Sequence, residues 1–283
     1  MNSFLFKVLI CLCFGFKIAI AEKPNFSSSP AQSSSILSQP PITVTPHRAE
    51  YNIELVDPQK SGIKSVKGKL TIEIADQGEG WTFEQRCLIY VTTESGSVDE
   101  FRTTVASWET KDGRHYTFTV TSLCNQQIIE CIHGHATADP QNSGVVIYQH
   151  PDSPLVRLPA NTLFPLQYLN KILNALAAGK TNLPNQKVFD GISEHKDTVD
   201  INLTITPMKP DLTVNKKGVI DTDKAWSLQM GIFQADSEDI DPDYEITQTI
   251  LKSGIILSMI MSMAYGEETF KAKATLTEVK VYS

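Results

Sequence analysis

From Val44 onward the chain repeatedly alternates apolar and polar residues with the two-residue period of a β-strand. In Ala49–Leu55 the alternation puts Tyr51, Ile53 and Leu55 on one face, and in Lys67–Ile74 it turns Leu70, Ile72 and Ile74 inward. Runs of the same kind are Cys87–Thr92, Glu100–Ser107, His115–Thr121, Gln127–His133, Val145–Tyr148, Thr198–Thr206, Trp226–Gln234 and Ala272–Tyr282. Between them stand turn signals such as Asp57-Pro58, Ser95-Gly96, Asp112-Gly113, Asn142-Ser143-Gly144 and Lys217-Gly218. Ile255–Met263 is apolar apart from Ser258 and Ser262 but too short to cross a bilayer, and it reads as a buried strand. Short strands at this spacing predict an all-β fold, an antiparallel sheet curled into a barrel or sandwich. Strands do not alternate with helices here, which disfavours a doubly wound α/β fold.

One segment follows a different period. After Phe164-Pro165, the residues Leu169, Ile172, Leu173 and Leu176 fall at helical spacing on one face, with Lys171 and Asn174 opposite. Pro165 suits the first turn, Gly179 suits the position just past the last turn, and Asn161 or Thr162 is placed to cap the start. A single amphipathic helix over 164–179 is predicted, packed on the sheet or plugging it. One helix covers only part of a curled sheet, so a concave apolar surface beside it is the expected binding site. Its expected lining is Leu166, Tyr168, Leu169, Ile172 and Leu173, with Trp81 or Trp226 from the sheet. The competing reading makes the same face packed core.

The first 43 residues lack the strand pattern. Met1–Ala21 carries Lys7, an apolar run broken only by Lys17, and the small-x-small ending Ala19-Ile20-Ala21, as in a cleaved secretory signal. Residues 22–43 hold Ser27-Ser28-Ser29-Pro30, Ser33-Ser34-Ser35 and Pro40-Pro41, too little apolar surface to offset ordering entropy, so a disordered linker is expected. A single domain over 44–283 follows, in an exported chain with no transmembrane segment once the leader is removed. Removal of Lys7 and Lys17 with the leader would take the formal charge from −7 to −9, since no acidic residue lies in it. An acidic balance argues against nucleic acid as a partner.

Candidate chemistry is sparse. His133-Gly134-His135 puts two imidazoles on one strand face, but two ligands make a weak metal site. The acidic stretch Asp236–Asp243 lacks the central glycine and terminal glutamate of a calcium loop, so it reads as a solvated loop. Nucleophile-elbow, zinc-protease, phosphate-loop and dinucleotide motifs do not occur, and no cofactor is expected. Beyond the leader the cysteines are Cys87, Cys124 and Cys131, an odd number, and no disulfide is expected.

The ordered motifs carry a resemblance. Pro46-His47-Arg48-Ala49-x-Tyr51 opens the first strand, and Lys67-Gly68-Lys69-Leu70 and Glu79-Gly80-Trp81-Thr82 follow. Then come Leu163-Phe164-Pro165, Val188-Phe189-Asp190-Gly191, Ala225-Trp226, Pro242-Asp243-Tyr244-Glu245 and Ala264-Tyr265-Gly266-Glu267-Glu268-Thr269-Phe270. In this order they resemble the alphaproteobacterial cell-envelope integrity protein EipB family, over about Val44 to Tyr282. The resemblance implies a periplasmic, non-enzymatic protein wound into an antiparallel β-spiral with a helix. It also implies a role in envelope integrity and a tetratricopeptide-repeat periplasmic partner. His47, Arg48, Tyr51, Gly80, Phe164, Pro165, Phe189, Asp190, Gly191, Tyr265 and Gly266 are the motif residues expected to be structural.

Two departures stand out. The cysteine that the family carries before its Gly-Trp is Gly78 here, and the C-terminal end Val281-Tyr282-Ser283 has none, so the family's disulfide is absent. The family's Thr-x-His after Phe-Pro is Leu166-Gln167-Tyr168. The expected function is therefore support of the cell envelope through a periplasmic partner protein or an apolar ligand. The rival expectation is a secreted hydrolase with a site assembled from scattered residues.

Overall fold

The computed structural model describes residues 43–56, 62–139, 142–150, 155–192, 198–209, 224–235, 237, 239–266 and 268–282. The expected signal (1–21), the linker through residue 42, and Asp236 and Glu238 of the acidic stretch lie outside these residues.

Eight strands lead out from the first: β1 (His47–Leu55), β2 (Ile63–Asp76), β3 (Gly80–Thr93), β4 (Val98–Thr110), β5 (His115–Cys124), β6 (Gln127–Asp139), β7 (Asn142–His150) and β8 (Val156–Leu158). Helix α1 (Pro165–Ala177) follows. Six strands then return: β9 (Asn182–Val188), β10 (Val199–Met208), β11 (Ala225–Gln234), β12 (Tyr244–Leu251), β13 (Ile256–Tyr265) and β14 (Glu268–Val281). Two antiparallel meanders are thus joined where β14 pairs with β1, His47 opposite Val281, to make one 14-stranded sheet ordered 8-7-6-5-4-3-2-1-14-13-12-11-10-9.

Alternation sets the inner face. On β1, His47, Ala49, Tyr51 and Ile53 are buried, and opposite them on β2 lie Leu70, Ile72 and Ile74. The apolar side chains of both meanders and of α1 form one core. The sheet curls so that strands far apart in its order meet across that core. Tyr265 of β13 packs edge-on against Phe101 of β4 at 6.3 Å, and its hydroxyl donates to Asp99. Tyr116 and Phe118 of β5 meet Phe189, just beyond β9, at 6.3 and 5.7 Å.

The edges β8 and β9 are not paired with each other. β8 is three residues long, and β9 carries Pro184 and the left-handed Asn185, two devices that blunt an edge against unwanted pairing. Leu163, between β8 and α1, makes a parallel bridge to Val188, donating from its N–H to Lys187 and accepting from Phe189, both at 2.9 Å. The chain leaving one edge therefore reaches the other.

Helix α1 is set by local chemistry at both ends. Gly179 lies in the left-handed region (φ 69°), and Lys180 and Gly179 donate to the carbonyls of Ala175 and Leu176, a Schellman ending. The start departs from expectation. Neither Asn161 nor Thr162 caps it: Asn161 is left-handed, the Thr162 hydroxyl donates to Pro159, and the capping position is Phe164, which has no side-chain hydrogen bond to offer. The acceptor comes instead from β4.

The end of β14 is held by Tyr282. The Tyr282 amide donates to Pro46 at 2.9 Å and its hydroxyl to Glu73 at 2.8 Å, tying the chain end to β1 and β2. Register sets Cys131 opposite Thr121 and Cys124 opposite Gln127, while Cys87 sits on β3 between Leu70 and Thr103. No two of these cysteines face each other across a ladder. Thiol titration of unreduced, denatured protein lacking the leader is expected to count all three; a count of one would mean that two of them pair.

Candidate functional site

The expected apolar face of α1 is inside the fold. Tyr168 and Leu173 are fully buried, Leu166, Leu169 and Ile172 nearly so, and all belong to the single core. Trp81 joins them, and Trp226 is half-buried against the same core. The five helix residues expected at the cleft are therefore packed in the core rather than lining an open groove.

Around the start of α1 the motif residues assemble into a clasp. Phe164 stacks on Tyr116 at 5.1 Å, Tyr116 stacks on Phe118 at 5.4 Å, and Phe189 meets Phe164 edge-on at 6.4 Å. The Tyr116 hydroxyl donates to the Asp190 carbonyl at 2.8 Å, and the Asp190 carboxylate accepts from the Ile192 amide at 2.9 Å. Burial, reinforced by the neighbouring Asp190 and Glu109 charges, holds the Tyr116 phenol well above its ordinary range. Gly191 completes the turn at φ 77°, directly against the Phe118 ring.

Glu109 at the end of β4 is the acceptor that α1 lacks locally. Its two carboxyl oxygens accept from the Leu166 and Gln167 amides, each at 2.8 Å, and it is almost fully buried. Burial pushes its pKa up to about 8, against the opposing pull of those two amides. Sequence reading missed Glu109, although a signal existed. It continues the inward parity of Phe101, Thr103 and Val105 on β4, where a carboxyl needs a reason to be.

The remaining motif residues have structural places. His47 is buried and its Nδ1 donates to the Thr45 carbonyl at 2.7 Å; burial lowers its pKa, against the opposing pull of that carbonyl. Arg48 pairs with Glu50 and Glu73 at 3.2 and 3.6 Å on the outer surface. Tyr51 is core, and Gly266 turns β13 into β14 at φ 62°. Burial, with Asp99 accepting from its hydroxyl, pushes Tyr265 up to about 12. Among the described residues, no group of three His, Cys, Asp or Glu side chains is arranged to hold a metal ion.

A long antiparallel sheet curled on itself, with a buried helix and a clasp of motif residues joining its far ends, defines a β-barrel-like class of protein. The chain belongs to the EipB-like family, whose model matches residues 38–283. It is similar to a crystal structure of a β-barrel-like protein of the domain of unknown function DUF1849 from Brucella abortus. That likeness has a TM-score of 0.75 at 20% identity, covering 86% of this chain and all of that one. No curated protein matches the chain.

Proposed function

We propose that the protein is a non-enzymatic component of the periplasm that supports cell-envelope integrity by binding a partner protein. One observation carries the reading: the buried titratable groups hold segments together. Glu109 binds the amides of α1, Asp190 shapes its own turn, and His47 anchors the lead into β1. A hydrolase needs such groups to converge on an open cavity that admits substrate. The leader-like Met1–Ala21 supports export, and family membership supports a partner of the tetratricopeptide-repeat type. Because the apolar face of α1 is core, this reading favours a partner on the outer face of the sheet over an apolar ligand beside the helix.

Deleting the encoding gene is expected to sensitise the cell to detergent and to wall-directed antibiotics, and the wild-type chain is expected to restore resistance. Cross-linking in intact cells should join the chain to a periplasmic repeat protein. A deletion strain as resistant as its parent would overturn the role.

A further inference from the structure

The outer face of β4–β7 carries a depression of ≈370 Å³ whose lining is unusual for this chain. It contains Trp108, His115, Thr117, His133, His135 and Gln149, and none of its lining residues is Asp, Glu, Lys or Arg, although one residue in five of the chain is charged. Register builds it: Trp108 of β4, Thr117 of β5 and His135 of β6 stand directly opposite one another. Adjacent strands lie about 4.8 Å apart, so this rank is about 10 Å long. His133 is two residues from His135 on the same face, and its Nδ1 is held by the Thr119 hydroxyl at 2.7 Å.

The indole of Trp108 has a prepared seat. It lies close over Gly80, where any Cβ would come within 2.7–2.8 Å of ring atoms, so the motif glycine makes room for the ring against β3. Trp108 is only half-buried, and it contributes to the wall of the depression. A large aromatic surface kept partly in the open beside polar groups is a feature of recognition surfaces.

The lining selects a ligand class. Without lysine or arginine it offers an anion no permanent counter-charge, and without carboxylates it offers a cation none. The hydroxyl and amide side chains of Thr117 and Gln149 each donate and accept hydrogen bonds, as a neutral imidazole does through its two nitrogens. Such a set matches hydroxyl groups, which also do both, while an indole matches the apolar C–H face of a sugar ring. We propose that this depression binds a neutral saccharide chain, its rank of Trp108, Thr117 and His135 spanning two successive sugar rings. The lining also includes Tyr116 of the clasp and Ala136 of the core, and the proposal stands whether or not the partner-protein reading holds.

The test is titration of the purified protein with two neutral probes, an N-acetylglucosamine hexamer and a maltohexaose, followed by the indole N–H signals in ¹H–¹⁵N spectra. The Trp108 signal, assigned by its loss in Trp108→Ala, is expected to shift saturably at millimolar probe, while that of the buried Trp81 stays in place. Saturation by the acetylated probe alone assigns a wall-type glycan, and by the glucan alone a glucan. Trp108→Ala is expected to weaken binding about tenfold or more, equivalent to about 1.4 kcal/mol. His135→Ala, at a half-exposed position that leaves the fold intact, should weaken it about threefold, equivalent to about 0.7 kcal/mol. Lys64→Ala, on β2, should have no effect. A Trp108 signal unmoved by either probe, or binding undiminished in His135→Ala and in folded Trp108→Ala, would overturn the proposal.

Discussion

Glu109→Ala is expected to cost about 3–5 kcal/mol of stability, read as a fall in the urea midpoint at unchanged slope. The first turn of α1 is fully accounted for in the native chain. Pro165 has no N–H, those of Leu166 and Gln167 go to Glu109, and that of Tyr168 already bonds within the helix to Phe164. Removing the carboxyl orphans two amides in or near the core, each worth about 1–3 kcal/mol, and leaves a void beside them. Glu109→Gln keeps the shape but only one acceptor, and its cost should be smaller, about 1–3 kcal/mol.

The same residue makes stability fall on the alkaline side. Its folded pKa of about 8 lies above the ordinary 4.5, so the native state holds this proton more tightly than the unfolded chain does. Its contribution is therefore complete below about pH 4.5 and is lost as pH rises through about 8, by up to about 5 kcal/mol across the whole span. His47 runs the other way. Its folded pKa is lowered, so its contribution is present above the ordinary 6.5 and is lost as pH falls below it. The difference between wild type and Glu109→Gln cancels the histidine and isolates the carboxyl. That difference should fall steadily between pH 5 and pH 8 by about 4 kcal/mol, more than the starting advantage of wild type, so Glu109→Gln becomes the more stable form at the alkaline end; a constant difference would refute the assignment.

How far the sequence reveals this architecture depends on how regular each element is. Strands such as Ala49–Leu55 and Lys67–Ile74 announce themselves because each inward position is apolar. β12 does not, because Gln248 takes an inward, buried place between Ile246 and Ile250 and interrupts the signal. β9 hides behind Pro184 and Asn185, the features that guard it as an edge, and β8 is too short to show a period. α1 is legible by its spacing and by Gly179, but its cap is not, since the acceptor lies 57 residues away in sequence.

The candidate sites divide along the same line. The five helix residues expected at the cleft are buried in the core, and hydrophobic spacing alone cannot say whether such a face is left open or filled. His133-Gly134-His135 is legible as a same-face pair, whereas Trp108 and His115 join it only through the register of β4, β5 and β6. Register across a sheet is a tertiary fact. The motif Phe189-Asp190-Gly191 shows a turn in sequence, but its task of joining β9 to β5 appears only when Tyr116 and Phe118 are seen against it.

That clasp gives the second large effect. Gly191→Ala is expected to destabilise the fold by about 2–5 kcal/mol, from two separable costs. The first is backbone: at φ 77° a side chain costs about 1–2 kcal/mol. The second is packing, because the new Cβ would lie 2.5 Å from two ring carbons of Phe118. That ring has little room to yield, being fully buried and held by Tyr116, Tyr148 and Phe189 at 5.4–5.7 Å. Overpacking of this kind typically costs about 1–3 kcal/mol. Gly78 supplies the control, since it has φ 79° but nothing within 4 Å of the Cβ position, so Gly78→Ala should incur the backbone cost alone. The gap between the two variants measures the packing of the clasp. If it is zero, Gly191 serves only the turn, and the contact that brings β9 against β5 contributes nothing to holding the sheet curled.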